Sequence, residues 1–148
     1  MGEARFQIRP MTLADYDAVL ALWSHTEGMC IRDADSREKI GVFLARNPGM
    51  SFVAVAEGRV IGAALGGHDG RRGFLHHVAV GRADRRGGIG KTLVDACREK
   101  MRAAGIDKCH LLVRTDNTEA VKFWEGMGWS VRRDVVFMSA AWSGKPNA

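Results

Sequence analysis

No apolar run in the chain approaches the roughly 20 residues that a helix needs to cross a bilayer, so no membrane-spanning helix and no membrane partner are expected. Cysteine is scarce. Cys30, Cys97 and Cys109 match no metal-ligand or redox spacing, so no metal site is expected. Their odd number argues against a disulfide framework, and a reducing cytoplasm is the simplest location. The first residues, Met1-Gly2-Glu3-Ala4-Arg5, run into mixed polar and apolar sequence rather than the apolar stretch of a secretory signal. Helix-turn-helix and zinc-finger patterns are missing, as is any ribbon of alternating basic and aromatic residues, so nucleic acid is not an expected partner. There is no internal repeat and no linker. The 148 residues are therefore expected to form one domain, 1–148.

What is present is an ordinary globular composition with a basic excess. The hydrophobic share of 46% and charged share of 26% suit a soluble fold with one core. The net charge is +5, and part of the excess gathers at Arg82, Arg85, Arg86 and Lys91. A basic cluster of this kind attracts an anionic ligand.

That cluster lies in the stretch that organises the chain, Leu75–Ala104. Leu75-His76-His77-Val78-Ala79-Val80 reads as a buried strand. Arg85-Arg86-Gly87-Gly88-Ile89-Gly90 is a glycine-rich turn, and an amphipathic helix runs from about Lys91 to Ala104. Ile89, Leu93, Cys97 and Met101 share a stripe of that helix, which makes Cys97 a core residue rather than a nucleophile. A strand that enters a helix through glycines leaves backbone N–H groups pointing outward at the positive end of the helix dipole. That is a seat for phosphate.

The flanking sequence fills in a layered domain. Arg5–Arg9 is expected as an edge strand. Leu13–Ser24 is expected as a helix opened by Thr12 and Asp15, with Tyr16, the chain's one tyrosine, on its buried face. His25–Asp35 carries Glu27, Asp33 and Asp35 and reads as a connection, with a cationic substrate as a weaker suggestion. Ser36–Arg46 is a second helix, ended by Asn47-Pro48-Gly49. Ser51–Glu57 and Arg59–Leu65 form a hairpin, and Gly66–Gly70 reads as the next turn. After the central helix come a strand at Lys108–Arg114, a helix from about Asn117 to Glu125 capped by Asp116 and Glu119, and closing strands at Trp129–Arg133 and Val135–Ala141. Ser143–Ala148 reads as a frayed tail. The order β-α-α-β-β-β-α-β-α-β-β is that of an α/β domain: a mixed, mostly antiparallel sheet flanked by helices on both faces.

The glycine turn fits two nucleotide fingerprints poorly. In Gly-Ile-Gly-Lys-Thr at 88–92, a P-loop would require glycine at the position of Arg85. Counted from Gly88, the last glycine of a Rossmann fingerprint would fall on Leu93. A third pattern fits. Arg85-x-x-Gly88-x-Gly90 follows a Val-Ala-Val strand, and Asn117-x-x-Ala120-x-x-Phe123-Trp124-x-x-Met127-Gly128-Trp129 follows it at a distance. The two segments resemble the paired motifs of the GCN5-related N-acetyltransferase (GNAT) family, and the element order resembles the family's across nearly the whole chain.

The resemblance implies an acetyl-CoA-dependent N-acetyltransferase acting on a primary amine of a small molecule or protein by direct attack. It implies that the amides of Arg86, Gly87, Gly88, Ile89, Gly90 and Lys91 hold the pyrophosphate, with Arg85 opening the loop. Backbone groups of Val78, Ala79 and Val80, together with Asn117, would hold the pantetheine arm, and the central strands would splay to admit it.

Transfer requires a neutral amine, and a lysine-like amine has a pKa of roughly 10.4, so a proton acceptor is needed. One branch of the family has a catalytic histidine at the position matching His76, and its second histidine matches Phe74. Strict alternation puts Phe74, His76, Val78 and Val80 on one face and His77 on the other. His76 is accordingly the expected base, weighed against an ordinary half-buried strand residue, and His77 is expected to be the latter. Trp124 stands where many members have a tyrosine acid. Tryptophan cannot titrate in this range, so it walls the pocket, donates a hydrogen bond to sulfur or belongs to the core. Tyr16 lies on a distant helix and is not assigned the role. The alternative is a non-catalytic acyl-CoA sensor on the same fold. The acceptor is not identified, and a homodimer through the C-terminal strands is considered.

Overall fold

The computed structural model describes residues 5–148; the reading of Met1–Arg5 as no secretory signal falls mostly on residues outside that range. The sheet has five strands in the order β1 (Gln7–Pro10), β2 (Phe52–Ala56), β3 (Arg59–His68), β4 (Gly73–Val80) and β5 (Cys109–His110). Neighbours β1 to β4 are antiparallel, and β4 pairs with β5 in parallel. The helices are α1 (Tyr16–Ser24), α2 (Arg37–Arg46), α3 (Ile89–Ala103) and α4 (Thr118–Gly126).

Alternation along the strands divides the core between the two faces. Val53, Ala63, Leu65 and Ala79 pack against Tyr16, Val19 and Trp23 of α1 and Ile40 of α2. Phe52, Ala54, Ala64 and Leu75 pack against Ile89, Leu93, Cys97 and Met101 of α3 and Trp124 of α4. The expected apolar stripe of α3 is thus the one buried. The mixed sheet with helices on both faces is the architecture that the element order implies.

Several local expectations give way. Leu13–Asp15 is a 3-10 turn, and the α-helix begins at Tyr16; the Asp15 carboxylate accepts the Thr12 N–H at 2.9 Å. Gly66, Gly67 and His68 belong to β3 rather than to a turn. A side chain at Gly66 would press to 2.4 Å from the Met50 carbonyl, and one at Gly67 to 2.7 Å from Asn47. These glycines therefore answer to packing. The cap of α4 is Asn117, whose side chain accepts the Ala120 N–H at 3.1 Å, while Asp116 pairs with Arg114 at 2.9 Å. The tail is tied back by the Asp33 N–H to the Asn147 carbonyl at 2.8 Å.

Two larger corrections concern the second half. The strand expected at Lys108–Arg114 survives only as Cys109–His110, paired with Gly73 and Phe74. The closing strands at Trp129–Arg133 and Val135–Ala141 are not formed. A strand needs an edge to pair with, and β5 offers two residues of ladder. Val136, Phe137, Met138 and Trp142 stand 71% to 92% exposed.

Candidate active site

Because the β4–β5 ladder stops at Phe74–His110, the chains diverge beyond it. A cleft of about 890 Å³ opens there. Leu75 and Val78–Val80 form one wall and Leu111–Arg114 the other; Asn117, Ala120 and Trp124 of α4 close it, and the Arg85–Lys91 segment lies at one end. Among the described residues no group of three or more His, Cys, Asp or Glu gathers as a metal site.

The glycine loop has the backbone geometry of an anion cradle. Arg86 and Gly88 both adopt left-handed φ, +70° and +80°. Ile89, Gly90 and Lys91 form the first turn of α3, so their N–H groups have no acceptor within the helix and meet the positive end of its dipole. The first return bond is Thr92 N–H to the Gly88 carbonyl at 3.0 Å. Gly90 also lets α4 approach, since a Cβ there would meet the Phe123 ring at 3.1 Å.

Side chains fasten this loop to its surroundings. Arg85 Nε donates to the Val80 carbonyl at 3.1 Å, tying the loop to the end of β4. Arg82 and Arg85 both donate to Glu27, in the segment after α1. The Arg82 hydrogen bond foremost, then that of Arg85, holds the Glu27 carboxyl down to about 2. Glu27 is thus paired with the loop's own arginines rather than left for a cationic substrate. Asn117 spends its carbonyl on the α4 cap and points its amide nitrogen toward Gly28.

The catalytic candidates separate. Trp124 is buried, packs edge-on against Phe123 and Trp129 at 5.1 Å each, and lines the cleft. His76 lies outside the cleft lining, exposed to solvent but with its ring set against those of Phe43 and Phe74. Burial by these neighbours, with the nearby His77, holds its pKa below the ordinary value against the pull of Asp35. Of the expected cofactor residues, Gly87 alone lies outside the lining.

The cause of this separation of the two histidines is a β-bulge. Leu65 pairs with His76 and Ala63 with Ala79, so Ala64 faces two residues of β4. The extra residue is His77, at φ +48°. The shared face expected for His76, Val78 and Val80 is therefore broken. Val78 and Val80 pack toward α3, whereas His76 meets Phe43 of α2 and His77 meets Trp23 of α1. His77 lines the cleft, and its Nε2 lies 2.9 Å from Oδ1 of the buried Asp35. Sequence reasoning missed this pair. A bulge leaves no period in the sequence, and Asp35 belongs to the connection between α1 and α2.

The two other residues of interest fall elsewhere. Tyr16 donates its hydroxyl to the Asp35 carbonyl at 2.6 Å, and burial, with the nearby Asp35 and Asp17 carboxylates, raises its pKa. Cys97 sits in the core, where burial pushes its thiol up to about 12.

The acetyltransferase (GNAT) family model matches residues 16–129, most of the chain. The chain belongs to the acetyltransferase (GNAT) family. It is an acetyl-CoA-dependent N-acetyltransferase. An acetyltransferase of Pectobacterium atrosepticum is 32% identical over 120 residues, covering 80% of this chain and 84% of that one. Ard1 from Thermoplasma volcanium has the same fold, with a TM-score of 0.78 at 24% identity over 87% of this chain and 85% of that one. The PaiA N-acetyltransferase from Thermoplasma acidophilum, solved in complex with coenzyme A, reaches 0.75 at 20% identity over 87% of this acetyltransferase and 92% of its own chain. No helix among the described residues is long and apolar enough to cross a membrane.

Proposed function

We propose that this acetyltransferase holds its donor in the β4–β5 cleft and delivers the acetyl group directly to a primary amine of a small molecule or protein. The observation that carries this reading is the end of the β4–β5 ladder beside an amide cradle. The residues fit coenzyme A. The free amides at Ile89–Lys91, with Arg86 and Gly88 turned left-handed, suit a pyrophosphate. The apolar walls at Val78, Val80, Leu111 and Ala120 suit the pantetheine arm. Backbone groups of Val78–Val80 and the side-chain amide of Asn117, all lining the cleft, would hold that arm.

Acetyl-CoA supplies an acyl group already activated as a thioester. The chain itself must hold that group still, exclude water and move protons. Trp124 closes the inner wall as an apolar surface, and its indole has one N–H to offer a sulfur acceptor. A thiol of pKa roughly 8.5 leaves readily near neutrality, so no tyrosine acid is required at this position. The acceptor must lose a proton before or during attack, which calls for a base in the cleft.

Acetyl-CoA at 100 times its Kd should add about 2.7 kcal/mol to stability and raise the thermal midpoint. Thiol release with a panel of primary amines then separates catalysis from sensing. Binding without release from any amine would favour an acyl-CoA sensor, and no thermal shift would sink the donor assignment.

The same reading places one domain in a reducing cytoplasm, in keeping with three unpaired cysteines. A homodimer is its assembly. The exposed run Val135–Met138 with Trp142 is apolar and strand-forming in composition, and the short β5 leaves a sheet edge to be completed by a second copy. Sedimentation gives the answer: a concentration-independent monomer would remove the dimer.

A further inference from the structure

We propose that His77, held by Asp35, is the base that takes the proton from the acceptor amine. This rests on the acetyl-transfer reading above and assigns the base that reading requires. Among the described residues, which include all five histidines of the chain, His77 is the one that lines the cleft.

Its placement is built rather than incidental. A non-glycine residue at positive φ costs on the order of 1–3 kcal/mol and persists where its surroundings over-determine it. Here they do. Trp23, fully buried, packs its ring 4.9 Å from the imidazole. Its indole Nε1 donates to the His77 carbonyl at 3.3 Å. Asp35 grips the far ring nitrogen, with Nε2 to Oδ1 at 2.9 Å. Two separate segments, α1 and the α1–α2 connection, thus fix one bulged residue.

The pair also fixes the tautomer. Asp35 is 7% exposed, and its Oδ2 accepts the Arg32 N–H at 2.9 Å. Burial pushes its carboxyl upward, but the hydrogen bonds from His77 and Arg32 outweigh burial and hold it below the usual range. Asp35 is therefore ionised near neutrality and can only accept. Nε2 of His77 must carry the hydrogen in the neutral ring, which leaves the Nδ1 lone pair as the acceptor. The titratable groups around the ring are Asp35 from the α1–α2 connection, His76 beside it on β4, and Tyr16 of α1, whose hydroxyl binds the Asp35 carbonyl. Arg37 of α2 lies over the Tyr16 ring at 5.8 Å.

The protons balance as follows. An ammonium acceptor releases one proton to solvent and becomes the neutral amine. The amine nitrogen bonds to the acetyl carbon, and its second proton passes to Nδ1 of His77. The carbon–sulfur bond breaks with its electron pair on sulfur. The proton on Nδ1 is then returned to the departing sulfur, so one proton is released per turnover. His77 is the catalytic residue, and Asp35 is a positioning residue that acts through it.

The test uses the full chain, acetyl-CoA and four probes: phenethylamine, putrescine, kanamycin and a short peptide with a free amino terminus. His77→Asn keeps a residue that tolerates positive φ. It should lose about 10²–10⁴-fold in kcat, while the KM for acetyl-CoA and the thermal shift on adding acetyl-CoA change little. His77→Gly fits the same backbone, and added imidazole should restore part of its turnover. Asp35→Asn should lower kcat with the acetyl-CoA KM preserved. Nitrogen NMR of the wild type should show His77 as the Nε2–H tautomer, and Asp35→Asn should mix the tautomers. Wild-type kcat in His77→Asn, or a larger loss in His76→Asn, overturns the proposal and leaves the acetyl-transfer reading standing. No thiol release by the wild type from any probe overturns that reading instead, and the NMR result still decides the tautomer.

Discussion

The two faces of β4 serve the site in different ways. On the α3 side the site is made of backbone: helix-terminal amides, a left-handed loop and a strand with an open edge. On the α1–α2 side it is made of side chains, His77, Asp35 and Trp23, drawn from three segments. A backbone site survives most substitutions because every residue has the same N–H. A side-chain site fails with one. The face that binds and the face that reacts should therefore differ in what breaks them.

The largest break is expected at His77. Loss of its Nδ1 should cost about 10²-fold or more in kcat with acetyl-CoA binding intact, as thiol-release kinetics beside a thermal shift would show. If acetyl-CoA affinity falls together with kcat, the two faces are not separable and the contrast is wrong.

Trp23→Ala attacks the same face through its support. Trp23 is fully buried between the α1–α2 face of the sheet and the His77 ring. Its truncation should cost about 3–5 kcal/mol in denaturant unfolding. Residual kcat at low temperature should also fall, because the bulge loses a restraint. A loss of stability with kcat unchanged would mean that Asp35 alone holds the ring.

Gly88→Val tests the backbone face. Gly88 sits at φ +80°, where a β-branched residue is strained, although a Cβ meets nothing within 4 Å. The cost on the order of 1–3 kcal/mol comes from conformation and should appear as a 10- to 100-fold rise in acetyl-CoA KM (each factor of ten being about 1.4 kcal/mol), with kcat at saturation little changed. Unaltered KM would show that the loop does not need its left-handed turn.

The same division explains what the sequence disclosed. Amide cradles need glycine at fixed local offsets, so Gly88 and Gly90 with Asn117 are visible as spacing. The buried stripe of α3 is visible for the same reason, since its period is local. The bulge at His77 is not: it arises where Leu65 and Ala63 of β3 claim His76 and Ala79 as partners. Strict alternation then assigns the histidines to opposite faces and points to His76, whereas His77 is the histidine that lines the cleft. The C-terminal segment errs in the other direction. Val135–Ala141 has strand composition, but composition supplies no partner edge, and β5 pairs only at Cys109 and His110. Gly66 and Gly67 look like a turn because the same residue serves both tight turns and close packing.

The smallest expected effect lies at Glu27, where the two faces meet. Glu27 comes from the segment after α1 and holds Arg82 and Arg85 of the loop before α3. Its carboxyl is held at about 2, so it contributes fully above the ordinary carboxylate range, and the contribution fades progressively as pH falls from that range through about 2. Between pH 6 and 9 the pairing is therefore constant, and salt rather than pH is the useful variable. Glu27→Gln frees two guanidinium charges beside an anion cradle, while Arg85 stays tied to the Val80 carbonyl. Exposed pairs are weak and screened, so acetyl-CoA should bind at most about fivefold tighter at low salt. Titration calorimetry should find no difference near 0.5 M salt, where the screening length is only a few ångströms. Weaker binding at both salt concentrations would show that Glu27 acts as a mechanical tie between the faces, and the backbone face would then depend on a side chain after all.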